Sequence, residues 1–456
     1  MKRFWLVLLS LGLVMAFSVS ALAVDVKFSG EYYVQGMYLD RTDVKDASDG
    51  NDPSTAFFFQ RFRLGTDFIV SDCLKLVTRV DIMERTWEPD TATNYGADTS
   101  GSDARNVDWD IAYIDYTSPI GKFLVGYMED YVWGTIWGNR ATGPTTGKIK
   151  YIVPIPNTPV MMVFAYAKEE ENNLSIQGGM QAEDRDYESY RVGPIFNFKS
   201  DAVAGEAGIL FIYNNVNQYR GLGFDPVVGT APFKQDMYVF QPYFKAKVGP
   251  VAMQGEINYA IGKREFESPA DAYLEDRDIN SLTAWFDADA NFGMFSVGGS
   301  FAYVMGQDPN EEDIQDALTG GRDWNPCLIM NNNNMYYTWI GPMGSNVTPG
   351  ATNAFRGSVD GEMNNVFFGQ VRGSVTPIPQ LTAGMSFSMA QADEDFEGDS
   401  DKGFEIDLTG TYKITNNLSY MLGFGYLFTG DFYKGADGAG EIEDDYIVLN
   451  KLTLSF

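Results

Sequence analysis

Beyond residue 24 the chain contains no apolar run of about 18 residues, the length an apolar helix needs to cross a bilayer. What repeats instead is alternation. Leu418, Tyr420, Leu422, Phe424, Tyr426 and Phe428 share one parity, against Ser419, Met421, Gly423, Gly425, Leu427 and Thr429 on the other. Leu381, Ala383, Met385, Phe387 and Met389 stand likewise against Thr382, Gly384, Ser386 and Ser388, and Phe404, Ile406, Leu408, Gly410 and Tyr412 against Glu405, Asp407, Thr409, Thr411 and Lys413. Strand side chains point alternately to two faces, so each segment is a strand with one greasy face and one mixed face. A soluble sandwich or propeller buries its apolar face against another sheet and turns polar residues outward. The mixed second face found here, with small, polar and charged residues, suits a water-filled lumen behind a lipid-facing wall.

Connections alternate between short turns and long polar loops. Eight short turns are rich in turn formers: Val70-Ser71-Asp72, Ser118-Pro119-Ile120-Gly121, Pro156-Asn157-Thr158-Pro159, Ser200-Asp201-Ala202, Gly249-Pro250, Asn291-Phe292-Gly293, Pro377-Ile378-Pro379 and Thr415-Asn416-Asn417. With both chain ends on the short-turn side, they imply about 18 strands, or about 16 on the alternative count. The fold class is therefore all-β: a transmembrane antiparallel up-and-down β-barrel with short periplasmic turns and long extracellular loops. Parity is ambiguous in 108–117 and 148–153.

Met1-Lys2-Arg3, the apolar run that follows and Ala21-Leu22-Ala23 form the n-region, h-region and cleavage site of a signal peptide over 1–23, leaving 24–456 as the barrel. Composition narrows function further. There are 33 Lys and Arg against 62 Asp and Glu and no basic block, which disfavours nucleic acid. The chain has no His. That removes Ser-His hydrolysis, His-ligated metal centres and Cys-x-x-Cys-His haem attachment, so neither catalysis nor a cofactor is expected. Cys73 and Cys327 lie far apart in the chain and are expected to stay unpaired, with no chemistry of their own.

The last strand ends Lys451-Leu452-Thr453-Leu454-Ser455-Phe456, with Leu452, Leu454 and Phe456 on the apolar parity. It resembles the C-terminal membrane-insertion signal of bacterial outer-membrane proteins. Arg61-Phe62-Arg63-Leu64-Gly65-Thr66-Asp67-Phe68 and Lys122-Phe123-Leu124-Val125-Gly126-Tyr127 resemble porin strands. Over essentially the whole region after the signal the chain resembles the Gram-negative outer-membrane porins. The strand count is similar to that of sugar-specific, basic-amino-acid and alginate-export channels, without assignment to one. The resemblance implies passive transport of small hydrophilic solutes or ions, surroundings of outer-membrane lipid and lipopolysaccharide, insertion by the barrel-assembly machinery, and a homotrimer as a common but not universal state.

Parity assigns the lumen. Opposite the apolar residues fall Arg61, Arg63 and Asp67, then Lys75, Arg79, Asp81 and Arg85, then Lys245, Lys247, Glu256, Asp287, Asp289 and Arg372. Arg61, Arg63, Arg79 and Arg85 would face Glu256, Asp287 and Asp289 about half a circumference away. Two readings stay open: a transverse field across the bore that sets selectivity, or opposite charges paired along the wall.

The longest connection, 306–360, holds a helix-like stretch at 311–318, Trp324 and Trp339. It is expected either to enter the mouth as a constriction or to form an outer lid. The acidic runs Glu169-Glu170-Glu171, 308–313, 393–401 and 441–445 lack a calcium-loop pattern and read as solvated faces, so no metal site is expected. Trp109, Tyr113, Tyr127, Tyr238 and Tyr446 are expected at the membrane interfaces. The runner-up to a diffusion channel is a sheath or scaffold for a periplasmic partner such as an electron-carrying cytochrome. An energy-coupled receptor would need a plug domain ahead of the first strand, whereas the alternation starts at Val26.

Overall fold

A computed structural model describes residues 24–40, 44, 54–87, 107–129, 133–138, 146–172, 185–220, 232–266, 275–321, 323–330, 363–395, 398–434 and 441–456. The signal-peptide expectation for 1–23 lies outside them. Eighteen strands follow one another: β1 (Asp25–Leu39), β2 (Thr55–Ser71), β3 (Leu74–Thr86), β4 (Val107–Ser118), β5 (Gly121–Met128), β6 (Thr146–Pro154), β7 (Val160–Glu170), β8 (Tyr187–Lys199), β9 (Val203–Val216), β10 (Phe233–Val248), β11 (Val251–Phe266), β12 (Arg277–Phe292), β13 (Phe295–Val304), β14 (Val366–Ile378), β15 (Leu381–Gln391), β16 (Asp401–Lys413), β17 (Leu418–Thr429) and β18 (Asp445–Ser455). Each pairs antiparallel with its chain neighbour, and β1 pairs with β18 from Glu31↔Ser455 to Leu39↔Ile447, closing the sheet. Closure satisfies the backbone groups that an open edge would expose to lipid. The turns fall where the turn formers predict them.

The apolar parity lies on the outside, where Phe58, Leu76, Phe286, Val371, Phe387 and Leu422 are exposed. Trp109, Tyr127 and Tyr238 are exposed on that surface, and Tyr446 packs on it beside Tyr38 and Phe424. Tyr113 departs from the expectation: it shares the parity of buried Ile111 and Asp115, on the inner face. A bulge explains both this and the ambiguous parity of β4. Arg79 pairs with Ile111 and Val80 with Trp109, so Asp110 is the extra residue and the alternation shifts by one across it.

A second irregularity sits between β2 and β3. Gln60 pairs with Arg85 and Phe62 with Ile82, leaving Met83, at a φ of 53°, and Glu84 opposite Arg61. Counting by twos from Arg79 to Arg85 therefore runs through a bulge, and it is Glu84 that reaches Arg61, at 3.3 Å. The backbone of Arg85 is paired, and its side chain lies outside the described residues.

The stretch 311–318 is not helical. Beyond Thr283↔Val304 the inner edge of β12 no longer has β13 beside it. Ile314 fills the gap, its N–H donating to Asp278 O at 2.7 Å and its carbonyl accepting from Asn280 N at 3.0 Å, in a parallel bridge to Ile279. Ile314, with Ala317 and Leu318 beside it, packs against Met237, Val239, Ala260 and Ile279. The same apolar spacing that suggests a helix is satisfied by an extended strap on the wall, because the vacant strand edge supplies hydrogen bonds that a helix would make within itself.

Candidate channel constriction

Two loops turn into the barrel and meet. The first leaves β5 at Glu129, a buried residue whose carboxylate accepts from Arg79 Nη1 and whose carbonyl accepts from Lys150 Nζ at 2.9 Å. Its tip reaches β11. Glu256 Oε2 accepts from Thr135 N (2.8 Å) and Thr135 Oγ1 (2.9 Å), and Oε1 from Gln241 Nε2 (2.6 Å). Gly138 sits so close to Glu256 and Gln241 that a Cβ there would collide with both. Trp137 Nε1 donates to Thr283 Oγ1 at 3.1 Å, and its ring stacks on Trp285 with centroids 6.0 Å apart.

The second loop runs from β13 along the inner wall. Gly321 N donates to Trp137 O at 3.0 Å, and Gly320 lies against the Trp137 indole, where any Cβ would overlap the ring. Trp324 meets Trp137, Trp285 and Phe368 edge-on at 5.8, 5.5 and 5.5 Å. Pro326 O then accepts from Gln370 Nε2 at 2.6 Å. Further on, the Glu405 carboxylate accepts from the amides of Leu328 (3.0 Å), Ile329 (2.8 Å) and Met330 (2.5 Å). A buried cluster including Tyr33, Phe59, Trp285, Trp324, Met330 and Phe368 fills this side of the interior. The rest of the long loop, including Trp339, lies outside the described residues.

Opposite that apolar fill the two loop tips and the β6–β11 wall enclose a cavity of about 320 Å³. Its lining mixes Lys148, Glu169, Arg191, Asn214, Gln241 and Asn258 with Trp133, Trp137, Thr319 and Gly320. Arg191 Nη2 donates to Glu169 Oε1 at 2.8 Å, and its Nε to Ser189 Oγ at 2.9 Å. The arrangement offers a solute hydrogen-bond donors and acceptors and an aromatic surface.

The charged residues expected in the lumen pair mainly with near neighbours. Arg63 forks onto Asp81 at 2.7 and 2.6 Å and reaches Asp110 at 3.3 Å, while Arg79 holds Asp110 at 3.0 Å and Glu129. Lys75 joins Asp67 at 2.8 Å and Asp115 at 3.8 Å. Arg61 lies 5.2 Å over the Tyr33 ring. Lys245 pairs with Glu206 at 2.8 Å. Arg372 spans β13 to hold Asp289 at 2.6 Å and Asp287 at 2.9 Å. Lys245, Lys247, Asp287 and Asp289 line a second cavity of about 360 Å³ nearer the short turns. Of the two electrostatic readings, neighbouring pairs along the wall describe these contacts. Glu256 anchors the first loop. Asp110, Glu129, Trp137, Lys148, Arg191 and Glu405 are the site residues the sequence reading missed; of these, only Glu405 stood on a parity already noted.

Two of the shifted groups outside the strands lie on the inward loop and at the end of β15. Burial, then the nearby Glu405 and Asp407 carboxylates, push the Cys327 thiol well above its ordinary range. Burial, followed by Asp308, Asp393 and Asp395, raises the Glu394 carboxyl at the loop end of β15.

No family model matches the chain, and no curated protein matches it. Solved structures do. The Pseudomonas aeruginosa protein OccK9 (OpdG) superposes with a TM-score of 0.51 at 12% identity, over 94% of this chain and 99% of that one. The OpdK structure with vanillate, from the same organism, gives 0.50 at 13% identity, over 94% and 99%. The fold is that of the outer-membrane porins. At such identity the likeness concerns the barrel alone.

Proposed function

We propose that this protein is a passive outer-membrane channel for small hydrophilic solutes or ions. The observation that carries the reading is a closed barrel, apolar outside, whose polar interior is narrowed by two of its own loops meeting at Trp137 and Gly321. An apolar exterior places the wall in lipid, and a polar cavity beside the loop junction provides the path. Lys148, Glu169 and Arg191 line that cavity, and Lys245, Lys247, Asp287 and Asp289 the one nearer the short turns; Arg61, Arg63, Asp67, Lys75, Arg79, Asp81 and Arg372 stand along the wall as ion pairs, which keep the bore hydrated while limiting net selectivity. A sheath around a protein partner is the weaker reading, because the two loops occupy the bore such a partner would thread.

Single-channel recording of the purified protein in a planar bilayer, under asymmetric potassium chloride, tests this. Steady ohmic conductance is expected. In the Arg61→Ala, Arg63→Ala double variant, Glu84, Asp81 and Asp110 lose cationic partners, and the reversal potential should move toward cation preference. A folded but silent barrel would refute the channel reading.

A further inference from the structure

The second inward loop and β16 bring a thiol and two carboxylates to one buried point, where Glu405 already anchors that loop. Cys327 Sγ and one oxygen from each of Glu405 and Asp407 lie within 4.8 Å of one another. The three residues are 4%, 0% and 4% exposed. The Glu405 oxygens receive the amides of Leu328, Ile329 and Met330, and Asp407 Oδ2 receives Leu328 N at 3.3 Å and Ser386 Oγ at 3.2 Å. Asp407 Oδ1 is different: it is buried without a hydrogen-bond partner among the described residues. It points to the same spot as Glu405 Oε1, for a Cβ on Gly425 would meet the two at 2.7 and 3.2 Å. No ion pair to either carboxylate occurs among the described residues, so the two, together out of water, are held either by a shared proton or by a bound cation.

We propose that Cys327, Glu405 and Asp407 form a structural site for one divalent transition-metal ion of the zinc type. The thiolate selects against calcium and magnesium, which take oxygen ligands, and favours zinc or a similar borderline-soft cation. Tetrahedral zinc holds sulfur at about 2.3 Å and oxygen at about 2.0–2.2 Å, so the three donors need close in only modestly. Water or the buried Ser388 hydroxyl, directly opposite Glu405 in the β15–β16 register, supplies the fourth position. The bond formed is metal–sulfur, the bond broken is S–H, and the proton leaves to solvent. The ion uses the idle Asp407 oxygen and ties 326–330 to the wall, independently of what the channel carries.

The test uses the full chain folded in detergent, with exposed Cys73 changed to Ser to remove the other thiol, stripped with chelator and titrated with Co²⁺. One equivalent should bind with a thiolate-to-cobalt charge-transfer band in the near ultraviolet, displaced by Zn²⁺. The band should vanish in Cys327→Ser, and affinity should fall about tenfold or more in Asp407→Asn. Heat-modifiable gel mobility verifies that each variant is folded. A folded Cys73→Ser protein that gives no band would overturn the site, showing that the carboxylates share a proton instead. Equal cobalt uptake with and without Cys327 would overturn it too, assigning the ion to loop carboxylates. If Cys327→Ser fails to fold, the isosteric Asp407→Asn decides: unchanged affinity rejects the proposal.

Discussion

Glu256 shows how much one side chain can govern. It is 2% exposed and receives three hydrogen bonds, two of them from a single threonine on a loop 121 residues away in sequence. Hydrogen bonds to a charged group contribute about 1.5–3 kcal/mol each, and truncation would also leave their donors buried without an acceptor. Glu256→Ala is therefore expected to release the Thr135 tip, giving a larger and noisier single-channel conductance in a barrel that still folds. Glu256→Gln, which keeps one carbonyl oxygen for Thr135, should fall between. Traces indistinguishable from the parent would show that the anchor does not hold the passage. The Arg63 fork onto Asp81 makes a different demand, since two parallel bonds need a planar guanidinium. Arg63→Lys should shift the reversal potential toward cations by less than Arg63→Ala, because the charge remains while the fork is lost; equal shifts would show that charge alone is not what Arg63 contributes.

Among elements, the decisive contact is between two loops rather than between strands. Gly320 leaves the Trp137 indole the space it occupies, so Gly320→Val should push the loops apart, widen the cavity of about 320 Å³ and raise conductance. Unchanged conductance would place the narrowest point elsewhere. At the outer end the raised Glu394 carboxyl sets a pH response of defined sign. An acid whose pKa rises on folding binds its proton more tightly in the folded state. Its ionised form therefore opposes packing above the raised value, and the opposition is relieved as pH falls through that value. Proteolytic nicking of the 393–401 loop should accordingly decrease as pH drops from neutral into the acid range, and Glu394→Gln should flatten that profile. Strands and turns were legible in the sequence because alternation and turn chemistry are local. Leu418 to Phe428 announce their face without reference to anything else. The inward loops were not legible, since Thr135, Trp137 and Gly320 become meaningful only when β11 and β12 stand across from them. Bulges at Asp110 and Met83 hid for a related reason: one extra residue reverses every later parity, and nothing in the flanking sequence marks it.

At the scale of the whole molecule, the last residue closes the ring. Phe456 and Gly30 exchange backbone hydrogen bonds at 2.9 and 3.0 Å, and the Phe456 ring, 53% exposed, leans toward Phe62 on the lipid side. The backbone that closes the ring and the aromatic face turned to lipid thus belong to separate atoms of one residue. Changing only the ring leaves the seam bonded. Phe456→Ala should therefore fold into detergent from urea with nearly the parent's yield, since the exchange with Gly30 persists and only one exposed ring is lost. If Leu452, Leu454 and Phe456 form an insertion signal, the same variant should accumulate less heat-modifiable barrel in the outer-membrane fraction of cells, because the signal then presents an incomplete apolar face. A parallel fall in both experiments would mean that the ring stabilises the seam itself through Phe62. Equal accumulation in cells would remove Phe456 from the insertion signal. A defect confined to the cell assigns the exposed face of β18 to recognition and its hydrogen-bonded edge to closure.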